Sequence, residues 1–191
     1  KPRPLRTTGF YHRQQELGGY FLEASGFERP QWYEANKDLV AKYPTPARDE
    51  WSARYWSPII GAEAQYVREN VGLFDITALK RIEVTGKGSM EFLMEQTTGK
   101  LDKAPGSVTY CLMLTKDSGI LSDVTVTRLA ETHFMIGANS AIDVARLKSA
   151  APDTVHIKDV TSGTVGLGLF GPHARKVVEK LTNVDVSNEA F

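Results

Sequence analysis

The stretch Tyr110 to Arg128 (YCLMLTKDSGILSDVTVTR) constrains the fold more than any other part of the chain. Two runs rich in β-branched and apolar residues flank the turn-forming cluster Lys116, Asp117, Ser118, Gly119, which predicts a β-hairpin. One carboxylate, Asp123, sits inside the second run, and a charge with apolar neighbours on both sides needs a partner or a purpose. Alternation places Leu121, Asp123, Thr125 and Thr127 on one face and Ser122, Val124 and Val126 on the other. A loop of two or four residues sets Tyr110 opposite Thr125, on the face of Asp123. A three-residue loop flips that relation. The preferred register gathers a phenol, a carboxylate and a hydroxyl on one rigid surface.

Elements on either side of the hairpin extend the pattern. A strand over Arg81–Thr85 leads through Gly86 to Gly88 into a helix over Ser89–Thr98, with Met90, Leu93, Met94 and Thr97 on one side. The hairpin strands run over Val108–Leu114 and Ile120–Arg128, and His133–Gly137 adds a short strand. Ser140 and Asp143 have capping-box spacing, with Asp in place of the usual Glu, and open a helix reaching about Ser149. Val155–Val160 closes the unit. The order predicts an α+β fold, a ferredoxin-like split βαβ with an antiparallel sheet. A strand over Val165–Phe170 and a helix with Pro172 in its first turn follow, and Ala174, Val177, Val178 and Leu181 have the spacing of a buried face.

Upstream the signals are weaker. Lys1 to Thr8 reads as a basic, Pro-punctuated linker. Helical spacing from Phe10 to Glu23 is interrupted by Gly18-Gly19. Phe27 to Tyr33 reads as a packed aromatic loop pinning the linker, and Tyr43 to Ala47 as a turn or extended spacer. Trp51, Tyr55 and Trp56 form an aromatic cluster that Ser57-Pro58 breaks, and a short helix is expected over Ala62–Val71. The expected organisation is a linker and lead-in over 1–50, part of a first domain over 51–80, the ferredoxin-like unit over 81–161, and an incomplete continuation of the first domain over 162–191.

Several function classes are excluded at this point. Acidic and basic residues balance at 23 each, so nothing advertises nucleic acid or an anionic membrane. No apolar run approaches the roughly 20 residues of a spanning helix. The single cysteine, Cys111, lies in a strand and reads as a buried thiol. His12, His133, His156 and His173 have no metal-like partner at i+3 or i+4, and no Ser or Cys has a nucleophile-elbow context. Gly166, Gly168 and Gly171 satisfy G-x-G-x-x-G, but they fall within a strand rather than in the turn after it, which favours strand-to-helix packing over a dinucleotide site. The chain starts at Lys1 rather than Met and is expected to be a piece of a longer protein.

The spacing Tyr110…Gly119-Ile120…Asp123 resembles the folate-binding core of the glycine-cleavage T-protein (aminomethyltransferase) superfamily. Phe27-Glu28-Arg29-Pro30 before Trp32-Tyr33, and Val71-Gly72-Leu73-Phe74-Asp75 before a strand, resemble the C-terminal half of the dimethylglycine oxidase and dimethylglycine or sarcosine dehydrogenase flavoproteins. The resemblance implies tetrahydrofolate as cofactor, FAD in an upstream domain, and Asp123 as the catalytic carboxylate. It also implies folate contacts from Tyr110, Thr125 and Gly137, and, more loosely, from Asn139. Its implied partners are folate, an iminium intermediate, the upstream flavin domain and a downstream C-terminal domain. A cytoplasmic location follows, or the mitochondrial matrix in a eukaryote. The family's later Tyr-x-Gly-Glu-x-Gly segment does not occur in this sequence.

Two alternatives stay open. One is a non-catalytic relative such as the regulatory subunit of pyruvate dehydrogenase phosphatase, and the other is a free-standing interaction module. From the residues alone, the favoured reading of Asp123 is structural: an acid paired to Arg128 or Arg81, or one lining a polar edge.

Overall fold

The computed structural model describes residues 2–49 and 53–190, and the expectation for Trp51 lies outside them. The chain divides into two compact units, one covering Thr77–Gly166 and the other formed by the residues before and after it.

The discontinuous unit begins with helix α1 (Tyr11–Glu16), which stops ahead of Gly18, a residue with φ 71°. Strands β1 (Gly19–Ala24) and β2 (Phe27–Tyr33) then form an antiparallel hairpin. Phe27 to Tyr33 is therefore a strand and not the packed loop its aromatic and charged composition suggested. The reason is the intervening Ser25-Gly26 pair, whose φ values of 56° and 85° make a two-residue turn with the twist of the flanking strands. Tyr20 stacks on Trp32 across the hairpin, with ring centroids 4.1 Å apart.

Helix α2 (Leu39–Lys42) is short, and α3 spans Pro58–Glu69. The expected helix over Ala62–Val71 thus starts earlier. Ser57-Pro58 initiates it instead of breaking the chain: the Ser57 hydroxyl accepts the Ile59 N–H at 3.2 Å, and Pro58 occupies the first turn, where its missing N–H costs nothing. Strand β3 (Gly72–Asp75) ends this part.

The continuous unit runs β4 (Lys80–Thr85), α4 (Ser89–Gln96), β5 (Val108–Leu114), β6 (Ile120–Ala130), β7 (His133–Ala138), α5 (Ala141–Ala150) and β8 (His156–Asp159). The strands form one sheet in the order β5-β6-β7-β4-β8, with every neighbouring pair antiparallel. Odd and even positions separate cleanly. Ile82, Val84, Val124, Val126, Phe134 and Ile136 bury one face together with Phe92 and Leu93 of α4 and Val144 and Leu147 of α5. Tyr110, Asp123 and Thr125 stand exposed on the other.

Strand β9 (Leu167–Phe170) returns to the discontinuous unit and pairs antiparallel with β3. It is followed by α6 (Ala174–Val178), which is shorter than the spacing of Ala174, Val177, Val178 and Leu181 suggested. Leu181 is 79% exposed, so that stripe is not a buried face among the described residues. No helix among them is long and apolar enough to cross a membrane.

Candidate functional site

The hairpin reaches the expected register by an unexpected route. Its tip is the three-residue loop Lys116–Ser118, closed by the Thr115 N–H donating to the Gly119 carbonyl at 2.8 Å, with Ser118 at φ 65°. That odd-length loop alone would put Tyr110 on the face opposite Asp123. The ladder instead shifts by one between Met113 and Leu114: Leu114 pairs with Ile120 while Met113 pairs with Ser122. Leu121 is the extra residue of a β-bulge, and it restores Tyr110 opposite Thr125.

Four strands then contribute to one transverse row. Tyr110 pairs with Thr125, Thr125 with Gly137, and Gly137 with Arg81. The bare Gly137 makes room for its cross-strand neighbour, since a Cβ there would lie 2.6 Å from Thr125 Oγ1. Arg81 donates to the main-chain oxygens of Leu79, Thr77 and Thr161 at 2.8–3.0 Å, which fixes a guanidinium at the far end of the row.

Asp123 neighbours this row, and its side chain is held at both oxygens. Tyr110 Oη donates to Oδ2 at 3.2 Å, and Asn139 Nδ2 donates to Oδ1 at 2.9 Å and to the Asp123 carbonyl at 2.8 Å. Among the described residues the carboxylate is bonded by a phenol and an amide, and by neither Arg81 nor Arg128. Arg128 donates to the Lys103 carbonyl instead, at 2.6 Å. The Tyr110 phenol is pushed up by desolvation and by the adjacent Asp123 carboxylate, so at neutral pH it stays protonated and acts as the donor. The geometry provides an exposed carboxylate of fixed orientation, flanked by an aromatic ring that is 65% exposed and by a glycine of low profile. Such a surface can accept a proton from, and stack against, a flat molecule carrying N–H groups.

The structure brings Tyr110, Asp123, Thr125 and Gly137 together, with Asn139 as a direct partner of the carboxylate. Ser122 and Asp143 are both buried polar groups behind the site; the capping-box spacing marks Asp143 as a helix cap but gives no sign of its place behind the site, and the motifs leave Ser122 without a role. The signal for Ser122 was available, as a hydroxyl at a core-facing position between apolar neighbours. The glycines of the G-x-G-x-x-G pattern do not form a phosphate cradle. Gly168 packs under the Phe170 ring, and Gly171, at φ 114°, is crowded by the carbonyl oxygens of Val67 and Asn70, which would repel an anion. Among the described residues no cluster of His, Cys, Asp and Glu could hold a metal ion.

This is an α+β protein whose antiparallel sheet buries one face and offers a phenol–carboxylate–amide group on the other. Comparison with known proteins shows its family. The family model of the GCVT N-terminal domain matches residues 10–191, and the chain belongs to that family. It is 29% identical over 197 residues to 4-methylaminobutanoate oxidase (formaldehyde-forming) of Paenarthrobacter nicotinovorans, covering 98% of this chain and 23% of the relative. It is 29% identical over 185 residues to an aminomethyltransferase of Chloroherpeton thalassium, covering 94% and 44%. Among solved structures, the glycine cleavage system aminomethyltransferase T of Bartonella henselae superposes with a TM-score of 0.73 at 26% identity, over 92% of this chain and 43% of that one. The chain therefore spans less than half the length of these relatives.

Proposed function

We propose that this chain is the tetrahydrofolate-binding part of a demethylating flavoprotein, where a one-carbon unit passes from an iminium to tetrahydrofolate to give methylene-tetrahydrofolate. The observation that carries the reading is the Tyr110–Asp123–Asn139 group on an exposed sheet face. Family membership and the likeness to a formaldehyde-forming oxidase of a methylated amine support it. In this reading the ferredoxin-like unit carries the site, the flanking unit is part of a second T-protein-type domain, and FAD belongs to an upstream domain.

The donor set fits a reduced pterin. Asp123 Oδ2 and the Thr125 hydroxyl offer acceptors to ring N–H groups, Tyr110 offers an aromatic edge, and Gly137 keeps the floor low. Tetrahydrofolate, when bound, supplies the nucleophilic nitrogen that takes the one-carbon unit. Asp123 Oδ2 would accept the proton which that nitrogen gives up as its bond to the methylene carbon forms, and return it to the amine released when the old carbon–amine bond breaks, while Asn139 keeps Oδ1 occupied and the carboxylate aimed. The negative charge beside the reacting carbon also stabilises its cationic form. Tyr110 and Thr125 orient and bind, and neither needs to change protonation.

Asp123→Asn in the full-length protein should leave folding and amine oxidation intact and lower coupled methylene-tetrahydrofolate formation ~10²–10⁴-fold, the loss expected for a general base. Equal product yield from variant and parent, measured by quenched assay with folate present, would overturn the assignment and favour a non-catalytic relative.

A further inference from the structure

Asp123 is steadied from the opposite face of its own sheet, and we infer that Asp143, in the first turn of α5, is the positioning residue that does so, acting through Asn139 and Ser122. This rests on the reading of Asp123 as the proton acceptor.

Asp143 is 5% exposed. Its Oδ2 gathers four donors: the backbone N–H of Ser140 at 2.9 Å, the Ser140 hydroxyl at 3.2 Å, the backbone N–H of Asn139 at 3.1 Å and the Ser122 hydroxyl at 3.2 Å. The bond from the Ser140 N–H and the returning contact from the Asp143 N–H to the Ser140 hydroxyl make the capping box of α5. A helix cap has no use for the bonds from Asn139 and Ser122. Asn139 is the residue whose amide meets Asp123, and Ser122, which precedes Asp123 on β6, accepts from that same amide. The Asn139 amide donates to Ser122 Oγ at 3.3 Å as well as to both the carbonyl and Oδ1 of Asp123. One buried oxygen thus pins Asn139 at its main chain and, through Ser122, the neighbourhood of its side-chain amide.

An exposed aspartate otherwise samples several staggered rotamers. Here the amide at Oδ1 selects one and leaves Oδ2 directed toward Tyr110. Buried, hydrogen-bonded groups behind a reacting residue set how tightly it is held, and small misplacements are costly in rate.

The side-chain length at 143 separates positioning from capping. Glu is the usual residue at this capping position, so Asp143→Glu keeps the cap but carries its carboxylate one methylene away from Asn139 and Ser122. In the 191-residue chain, Asp143→Glu should unfold at close to the parental midpoint. Its Asn139 side-chain amide and Asp123 carboxyl-carbon resonances should nevertheless shift. Ser122→Ala, which leaves the cap untouched, should shift the same two signals by a smaller amount. Spectra unchanged at Asn139 and Asp123 in both variants, or altered only within α5, would overturn the proposal.

In the full-length protein, Asp143→Glu should lower turnover of one-carbon transfer about 10-fold or more while leaving KM for folate nearly unchanged, because aim is lost and contact area is not. Transfer lost in Asp123→Asn but parental in Asp143→Glu would also overturn it. Resonances that move in the two variants while Asp123→Asn has no effect on transfer would uphold the positioning role and remove the functional reading instead.

Discussion

Residues 77–166 and the residues flanking them solve the burial problem differently. In the first unit five strands share one apolar face, two helices cover it, and Ile82, Val84, Leu93, Phe134 and Leu147 have no accessible surface left. In the second, the strands among the described residues form two separate two-stranded sheets, and Leu73, Phe74, Leu167 and Phe170 of the β3–β9 pair are all exposed. A lone two-stranded sheet has too little area to close a core and depends on what packs against it. The contrast teaches that the candidate site stands on the self-sufficient unit, whose fixed core face is what makes its open face rigid.

The largest expected effect tests that self-sufficiency. Phe134→Ala should cost the sheet unit ~3–5 kcal/mol, whereas Phe74→Ala on the exposed pair should cost less than about 1. Denaturant unfolding followed by hydrogen exchange reads the two units separately, and equal costs would erase the distinction.

A smaller effect concerns acid. Burial opposes ionisation of Asp159, but hydrogen bonds from Lys80 and Thr161 outweigh it and hold the carboxyl at about 2, below the ordinary 3.8. Because the folded-state value is the depressed one, the Lys80–Asp159 contact at 2.8 Å stabilises fully above about pH 4. That contribution drains away as pH falls toward 2. Lys80→Met should remove ~1 kcal/mol of this acid-sensitive stability from the sheet unit and leave the exchange of β1 and β2 unchanged. A pH profile identical to the parent's between 4 and 2 would show that the pair carries none of it.

The smallest expected change in stability belongs to the exposed pair. Replacing Phe74 and Phe170 together by Ser should shift the unfolding free energy by ~0.5 kcal/mol or less while sharply reducing binding of an apolar dye. Dye response unchanged by the double replacement would place the sticky surface elsewhere.

What could be read from the sequence followed the range of the forces involved. The central hairpin and the α5 cap were legible because alternation and capping act over a few residues, as Val124 and Val126 inward and Asp123 outward illustrate. Strand β2 was hidden because Glu28, Arg29 and Pro30 interrupt its pattern. Buried Glu28 is tolerable there only because Arg3, far away in sequence, donates to it, with Arg3 Nε 2.8 Å from Oε1. At the site, the residue types on the polar face were readable, but the connection from Asp143 to Asn139 was not. It requires Ser122 to be carried beside the end of β7, and only the β6–β7 pairing does that.

The bulge at Leu121 has one more consequence. A chain with this three-residue tip has two candidate ladders, the observed one and another slipped by a single residue, in which Asp123 would lie opposite Cys111 in the core. What tells them apart is the penalty for drowning a carboxylate and two threonines in hydrocarbon while stranding Val124 and Val126 in water. Asp123 is therefore also a ratchet on its own strand. A polar replacement such as Asn keeps the ratchet, but an aliphatic one such as Leu releases it. A silent Asp123→Leu protein would confound lost chemistry with a strand threaded one notch out of step.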